Sequence, residues 1–352
     1  MKIRIAHVSP SNYNVPLGNV GPTVACTNLH IGFLKIGADV TLFGSKNSKV
    51  PGKVQYRFPK ELNGYPPFIK GSRLERTQMM LAHYAFAFAQ QGRFDVIQTH
   101  FLEWSLFLAQ FSKIPVVIKM SNLLRGFVLD VLPYYNNENI HFVSISSSQA
   151  SYLPRSVKNV SILPECINTD LIKPQYRKKD FFLYVGRLIP RKRVHLAIDA
   201  CVKSKQKIVV IGKPARLEEK ENVDYYNKEV KKRLRHKLVT YIPEVSHEQV
   251  YSYFRDAKAL ISPTTNAEPF GLVLIEALAS GTPVIALKNS LTSEILSKEV
   301  SMLPSKPQGL LSALRKVEKI SPEVCRKFAV DNYSDVVVAR KYIQLYEKLL
   351  QK

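Results

Sequence analysis

Apolar positions along the chain alternate between two rhythms. Short runs at Ile3–Val8, Asp39–Phe43, Asp95–Thr99, Pro115–Ile118, Phe142–Ile145 and Val160–Leu163 have the length and β-branched content of strands buried on both faces. Between the first two, Thr23–Ile36 sets Leu29, Phe33 and Ile36 on one helical face, and Gly37 closes that helix. The apolar, aromatic stretch Tyr84-Ala85-Phe86-Ala87-Phe88 reads as a buried helix. Strands separated by helices predict a parallel sheet with helices on both sides.

The pattern then restarts. Phe181–Val185 reads as a strand, and Val194, Ala197, Ile198 and Cys201 follow at i, i+3, i+4, i+7 on a helix. Lys207–Ile211, Leu238–Ile242, Ala259–Ser262 and Pro283–Leu287 continue the strands. The polar segment Ile167–Lys179, with Pro174 inside it, has little apolar periodicity and reads as the linker. At the end of the chain, Tyr342, Leu345, Tyr346 and Leu349 form one apolar face of a last helix. The expectation is α/β: two Rossmann-like, doubly wound domains facing across a cleft, residues 1–168 and 169–334. The helix at about 335–352 is expected to pack back on the first of them.

A length of 352 residues fits two domains. With 45% apolar and 22% charged residues, wholesale disorder is excluded. Against 28 acidic residues stand 51 basic ones, a formal +23 spread over both halves of the chain. Such a field favours anionic partners: nucleotides, phosphorylated lipids, an anionic membrane surface or nucleic acid. Four cysteines without a Cys-x-x-Cys pair suggest neither a zinc site nor a disulfide framework, and a cytoplasmic setting is expected. Arg4 and His7 interrupt the first apolar run, which makes it a strand and not a signal peptide. No stretch approaches the roughly 18 apolar residues that span a bilayer, so any membrane contact is expected to be peripheral.

In open parallel sheets, ligands bind beyond the carboxyl ends of the strands. The longest motif lies there. Ser262 ends a strand, and a loop crosses Glu268, Pro269, Phe270 and Gly271 to a helix expected to begin near Phe270 and to end at Gly281. Amides from Phe270 through Leu272 to Val273 would be unpaired at that N-terminus, a favourable seat for a diphosphate. Glu268 precedes the helix and Glu276 lies eight residues on, up to about 12 Å away if the stretch were wholly helical. Carboxylates accept paired hydrogen bonds from vicinal diols, so the spacing suits a nucleotide sugar, with a sugar at each end of a diphosphate. The second motif, Gly186-Arg187-Leu188 followed by Lys192, offers a planar fork of donors and a compact charge to a leaving diphosphate.

Together, Gly186-Arg187-Leu188-x3-Lys192 and Glu268-Pro269-Phe270-Gly271-Leu272-x3-Glu276 resemble the retaining GT-B glycosyltransferases of family 4. The resemblance is specific over Phe181–Leu287 and looser elsewhere. It implies a donor site in the C-terminal domain, an acceptor site in the N-terminal one, a UDP or GDP sugar as donor, and no cofactor or metal. By matching position, Glu268 would meet the donor sugar, the amides of Phe270, Gly271 and Leu272 the sugar and phosphate, and Glu276 the ribose. Arg187 and Lys192 would grip the diphosphate. His100, at the end of the strand Asp95–Thr99, matches a family position near the acceptor and the reacting sugar. Read on its own, it is equally an ordinary structural histidine.

The chain departs from the family pattern in places. Arg193 stands where a glycine usually follows the lysine, and Glu165-Cys166-Ile167-Asn168-Thr169-Asp170 replaces the common Asn-Gly-Val-Asp segment. Gly18-Asn19, followed by Gly21, takes the place of the usual glycine pair after the first strand; it reads either as a phosphate approach or as simple turn chemistry. Trp104 could shape an acceptor pocket or fill the core. Lys228, Lys231, Lys232 and Arg235 fall at helical spacing, a stripe that reads as a solvated face more readily than as a lipid contact.

The expected activity is transfer of a sugar from a nucleotide sugar to a hydroxyl of a glycan, lipid-linked or small-molecule acceptor. A nucleotide-sugar epimerase would share the donor site but would need acid and base groups beside the sugar. A nucleic-acid-binding protein would explain the charge, yet no recognisable module interleaves it with exposed aromatics.

Overall fold

The computed structural model describes residues 2–10, 21–66, 70–122, 124, 126–135, 137–214, 220–264 and 268–351. The chain divides into two compact units, Met1–Asn168 with Tyr333–Lys352, and Thr169–Asn332. The Gly18–Asn19 loop lies outside the described residues.

The first unit is built on a seven-stranded parallel sheet: β1 (Arg4–Val8), β2 (Asp39–Gly44), β3 (Lys53–Tyr56), β4 (Val96–Thr99), β5 (Val116–Met120), β6 (Ile140–Ser144) and β7 (Val160–Ile162), in the order β3-β2-β1-β4-β5-β6-β7. Alternation along β1 divides its residues between two cores. Ala6 and Val8 face Phe43, Ile97, Ile118 and Tyr84 on one side, while Ile5 joins Val40, Val96, Leu29 and Phe33 on the other. Helix α1 (Gly21–Lys35) covers the second side together with the C-terminal helix, Asp335–Leu350.

That last helix buries Tyr342, Leu345 and Tyr346. It approaches α1 so closely that a Cβ on Gly32 would lie 2.3 Å from the Asp335 carbonyl oxygen. Lys35 Nζ is 2.7 Å from Asp335 Oδ2, and Tyr346 Oη donates to Gln98 Oε1 at 2.8 Å. On the opposite side, α2 (Arg73–Phe88) starts at a Ser72–Glu75 capping box and buries Tyr84, Ala87 and Phe88, as its aromatic run suggests. Trp104, in α3 (Leu102–Ala109), is partly buried against the same core.

The second unit carries a six-stranded parallel sheet: β8 (Phe182–Val185), β9 (Ile208–Ile211), β10 (Val239–Ile242), β11 (Leu260–Ser262), β12 (Val284–Ala286) and β13 (Ser301–Met302), ordered β10-β9-β8-β11-β12-β13. Chain order reverses between β8 and β11, which lie side by side. The loops that leave these two strands carry both sequence motifs, so the topology alone sets them next to each other. Helices α4 (Val194–Lys203), α5 (His247–Asp256), α6 (Leu272–Ala279) and α7 (Pro322–Tyr333) complete the set used below.

Two readings need correction, and two strands were missed. The segment taken as a linker does hold the boundary between the two units, at Asn168 and Thr169, but from there onward it is tied down: Ile172 is buried, Gln175 N donates to Ser280 O, and Lys178 Nζ donates to Thr282 Oγ1 at 2.8 Å. The basic stripe does not lie on one regular α-helix. A π turn at Tyr226–Val230 and a 3-10 turn at Arg233–Arg235 break the assumed spacing, although Lys228, Lys231, Lys232 and Arg235 are all exposed. Strands β3 and β13 had no reading, the first because an edge strand needs little apolar content and the second because it has two residues.

Candidate functional site

The β8 loop is shaped by two glycines at the carboxyl ends of neighbouring strands. Gly186 (φ 155°) donates its amide to Ile211 O, and Gly212 (φ 157°) directly follows β9. A Cβ on Gly212 would sit 1.9 Å from the carbonyl oxygen of Gly186, so only glycine lets the two backbones meet. Leu188 N then bonds to Lys213 O, and Tyr184 Oη donates to Arg187 O at 3.2 Å. A 3-10 turn, Pro190–Lys192, follows, and Arg193 takes the left-handed conformation (φ 49°, ψ 40°) just before α4. The family's glycine at that position thus has a backbone reason.

On the β11 side, Gly271 (φ 87°) turns the chain into α6, which begins at Leu272, two residues after the expected start. Among the described residues no side chain caps this terminus. Phe270 is 3% exposed, so its ring belongs to the interior, whereas Leu272 and Val273 present the first helical turn. At the far end Thr282 N reaches Ala277 O and Gly281 N reaches Leu278 O, with Gly281 left-handed. This double bond pattern stops the helix after two turns.

Both acidic residues of the long motif have partners. Glu268 Oε2 is 2.7 Å from Lys192 Nζ and 2.8 Å from Arg191 Nη1. Lys192 is largely buried, and burial lowers its pKa even against the opposing pull of Glu268, with the charges of Arg191 and Arg187 adding to the depression. Arg187 itself is exposed. Glu276, one turn into α6, is 3% exposed; Cβ atoms tilt toward a helix's N-terminus, so its side chain leans back over the Leu272–Val273 turn. Its Oε1 lies 3.0 Å from His247 Nε2. Burial alone would lower the His247 pKa, but the hydrogen bond and charge of Glu276 outweigh it and the net shift is upward.

The second unit therefore gathers Gly186, Arg187, Lys192, Glu268, Pro269, Phe270, Gly271, Leu272, Val273 and Glu276 on two adjacent loops and one helix. Arg191, Gly212 and His247 were not picked out from the sequence. Arg191 stood beside the motif lysine and could have been noticed as a third cation; His247 carries no local signal.

His100 belongs to the first unit and is wholly buried. Its Nε2 is 2.6 Å from His7 Nε2, and His7 Nδ1 is 3.4 Å from His30 Nδ1. The Cys26 thiol lies 3.7 Å from His7 Nε2. Ligand-type atoms of His7, Cys26 and His100 all fall within 4.8 Å of one another, the one such group among the described residues that could hold a metal ion. One set of neutral tautomers satisfies the ring-to-ring contacts: His30 Nε2 donates to Pro51 O, His7 Nδ1 to His30 Nδ1, and His100 Nε2 to His7 Nε2, with His100 Nδ1 left unpartnered among the described residues. Close by, the buried Lys119 and Glu165 form an ion pair. His100 is thus an interior residue whose Nε2 is held by His7.

Residues 169–333 match the family model described as Glycosyl transferases group 1. A probable sucrose-phosphate synthase of Thermosipho melanesiensis is 25% identical over 209 residues, 55% of this chain and 49% of the relative. The O-antigen chain mannosyltransferase RfbU of Salmonella typhimurium is 26% identical over 192 residues, 51% of this chain and 52% of the relative. The chain spans about half the length of these curated relatives. Among solved structures, Anabaena HepE in complex with UDP and glucose superposes with a TM-score of 0.71 at 16% identity, covering 98% of this chain and 99% of that one. The fold is that of the GT-B glycosyltransferases, two Rossmann-like units on parallel sheets. No described helix is long and apolar enough to cross a membrane.

Proposed function

We propose that this protein is a retaining glycosyltransferase of family 4 that moves a sugar from a nucleoside-diphosphate sugar to an acceptor hydroxyl. The observation that carries the reading is the Lys192–Glu268 pair beside the uncapped start of α6, with Glu276 one turn further on. Cations, amides and two carboxylates at that spacing match the parts of a nucleotide sugar in order: sugar, diphosphate, ribose. The relatives, a probable sucrose-phosphate synthase and an O-antigen chain mannosyltransferase, and the UDP and glucose in HepE support the same class.

In this reading the diphosphate takes Lys192 and Arg187, and Glu268 is released from its cations to accept hydroxyls of the donor sugar. The sugar–phosphate bond breaks with its electron pair moving to the diphosphate. A phosphate oxygen takes the proton of the acceptor hydroxyl, and the new bond forms on the face the phosphate left. No protein nucleophile and no metal is required. Each preorganised charge on the leaving phosphate is worth about 10²–10³ in rate. The acceptor, a glycan, lipid-linked or small hydroxyl compound, is assigned to the first unit by resemblance, with peripheral contact to an anionic membrane as part of the proposal. We leave His100 out of the chemistry because it is wholly buried and its Nε2 is held by His7. A cytoplasmic location fits the four free, buried cysteines.

Panels of UDP, GDP and ADP sugars test the assignment by thermal stabilisation, hydrolysis and transfer, with the anomeric configuration of the product read by NMR. At least one nucleotide sugar should stabilise the protein and be turned over with retention. Arg187→Ala and Lys192→Ala should each lower turnover by about one to three orders of magnitude. Failure of every nucleotide sugar to stabilise or react would end the proposal.

A further inference from the structure

Glu276 is the most buried carboxylate of the candidate site, and the structure gives it one side-chain partner, His247. We infer that His247 is a positioning residue for the nucleoside end of the donor: it fixes Glu276 for the ribose and makes nucleotide affinity depend on its own protonation. The inference rests on reading Glu276 as the ribose ligand.

A carboxylate with almost no exposure needs hydrogen bonds to stay ionised. His247 supplies one at 3.0 Å to Oε1. Two oxygens offer about four acceptor sites, so Oε2 is left to meet hydroxyls. The histidine is itself held in place. It is the first residue of α5, where Ser246 and Gln249 form a capping box, and its ring stands edge-on to Tyr251 with centroids 4.8 Å apart. Its side chain keeps 23% of its surface exposed, against 4% for Glu276, so it exchanges protons with solvent while the carboxylate does not meet water freely.

The titratable groups against the ring are Glu276 from α6 and Tyr251 from its own helix. Burial raises the Tyr251 hydroxyl further above its ordinary range, so it stays neutral. With His247 protonated, the pair is neutral overall and an N–H points at the carboxylate. With His247 neutral, Glu276 leaves a bare negative charge in a site proposed to receive a diphosphate. Nucleotide affinity therefore falls as pH rises through the His247 pKa, which Glu276 has shifted upward.

Calorimetric titration of the full chain with UDP, GDP and ADP between pH 6 and 9 tests this. Wild-type affinity for the nucleotide that binds should fall roughly three- to tenfold more across the range than that of His247→Gln, whose amide donates a hydrogen bond but does not titrate. The phosphate groups of the nucleotide titrate identically with both proteins, so the difference belongs to residue 247. Parallel profiles overturn the role of His247 alone; absence of binding by all three nucleotides at every pH overturns the nucleotide site and this inference with it. Should His247→Gln fail to fold, the imidazole titration of the wild type, followed by NMR, reads the same linkage. Saturating nucleotide should displace it upward, and an unmoved titration overturns the proposal.

Discussion

Lys192 and Glu268, seventy-six positions apart in the chain, meet at 2.7 Å across the loops of two adjacent strands. Arg191 shares the same carboxylate oxygen. In the proposed reaction the diphosphate and this carboxylate compete for the same cations. Glu268→Ala should therefore abolish sugar transfer and leave nucleoside-diphosphate affinity unchanged or a few-fold tighter, since the cations are freed. Calorimetry with UDP, GDP and ADP decides it. A tenfold or greater loss of affinity would place Glu268 at the nucleotide end and not at the sugar.

The approach of Gly212 to Gly186 makes a second prediction, on stability. A methyl group at residue 212 would overlap the Gly186 carbonyl oxygen at 1.9 Å, at a φ of 157°. Backbone cannot give way as a flexible side chain would, so Gly212→Ala should cost about 3 kcal/mol or more, the upper end of overpacking effects. It should also disturb the loop that presents Arg187. Thermal or urea unfolding checks the first claim, and a wild-type midpoint would show that the two loops separate more readily than this geometry allows.

Much of the fold was readable because parallel strands buried on both faces must be apolar throughout. Phe182–Val185 and Val284–Ala286 could hardly be anything else. Edge positions obey weaker demands, which is why Lys53–Tyr56 passed unnoticed. The motifs could be placed on their loops, since glycines and charges at strand ends stand out. What they contact could not be read. Nothing near residue 268 announces that Lys192 and Arg191 will hold it, and nothing near residue 276 announces His247, because both pairings depend on strand order and helix packing. Arg193 was different: its departure from a glycine pattern was visible, and the structure supplies the left-handed backbone that explains the pattern.

That backbone yields a third prediction. Side chains other than glycine pay about 1–2 kcal/mol in the left-handed region, partly offset by the greater freedom glycine has in the unfolded chain. Arg193→Gly should therefore stabilise the second unit by up to about 1 kcal/mol. Urea midpoints of the two proteins, compared at one pH, provide the measurement. A loss of stability would mean that the Arg193 side chain contributes more than its backbone costs.

The buried histidines of the first unit set its response to acid. His30 and His83 are both held down to a pKa of about 4, first by burial, against hydrogen bonds to Pro51 O and Ser9 O that favour the charged form. His7 and His100 are also held well below the ordinary range, both first by burial, His7 then by His100, His30 and Lys119 and His100 then by Lys119. In the tautomer chain running from His100 through His7 to His30, an added proton on His7 Nε2 or His30 Nδ1 would face a donor hydrogen, so charging either of these two rings breaks a contact. His30 and His83 bind protons in the unfolded chain near the ordinary pKa of 6.5 and in the folded one only near 4. Their stabilising effect is thus complete above about pH 6.5 and is lost as pH falls toward 4, at a cost of about 2 kcal/mol per ring by pH 5. His247, raised in the folded state, contributes in the opposite direction and is lost as pH rises. Urea unfolding at pH 7.5 and pH 5, above most carboxylate titration, should show the folded protein markedly weaker at the lower pH. His83→Gln, which keeps a donor for Ser9 O, should shrink that difference by about 2 kcal/mol; an unchanged difference would mean that His83 is protonated, or reachable by water, in the native fold.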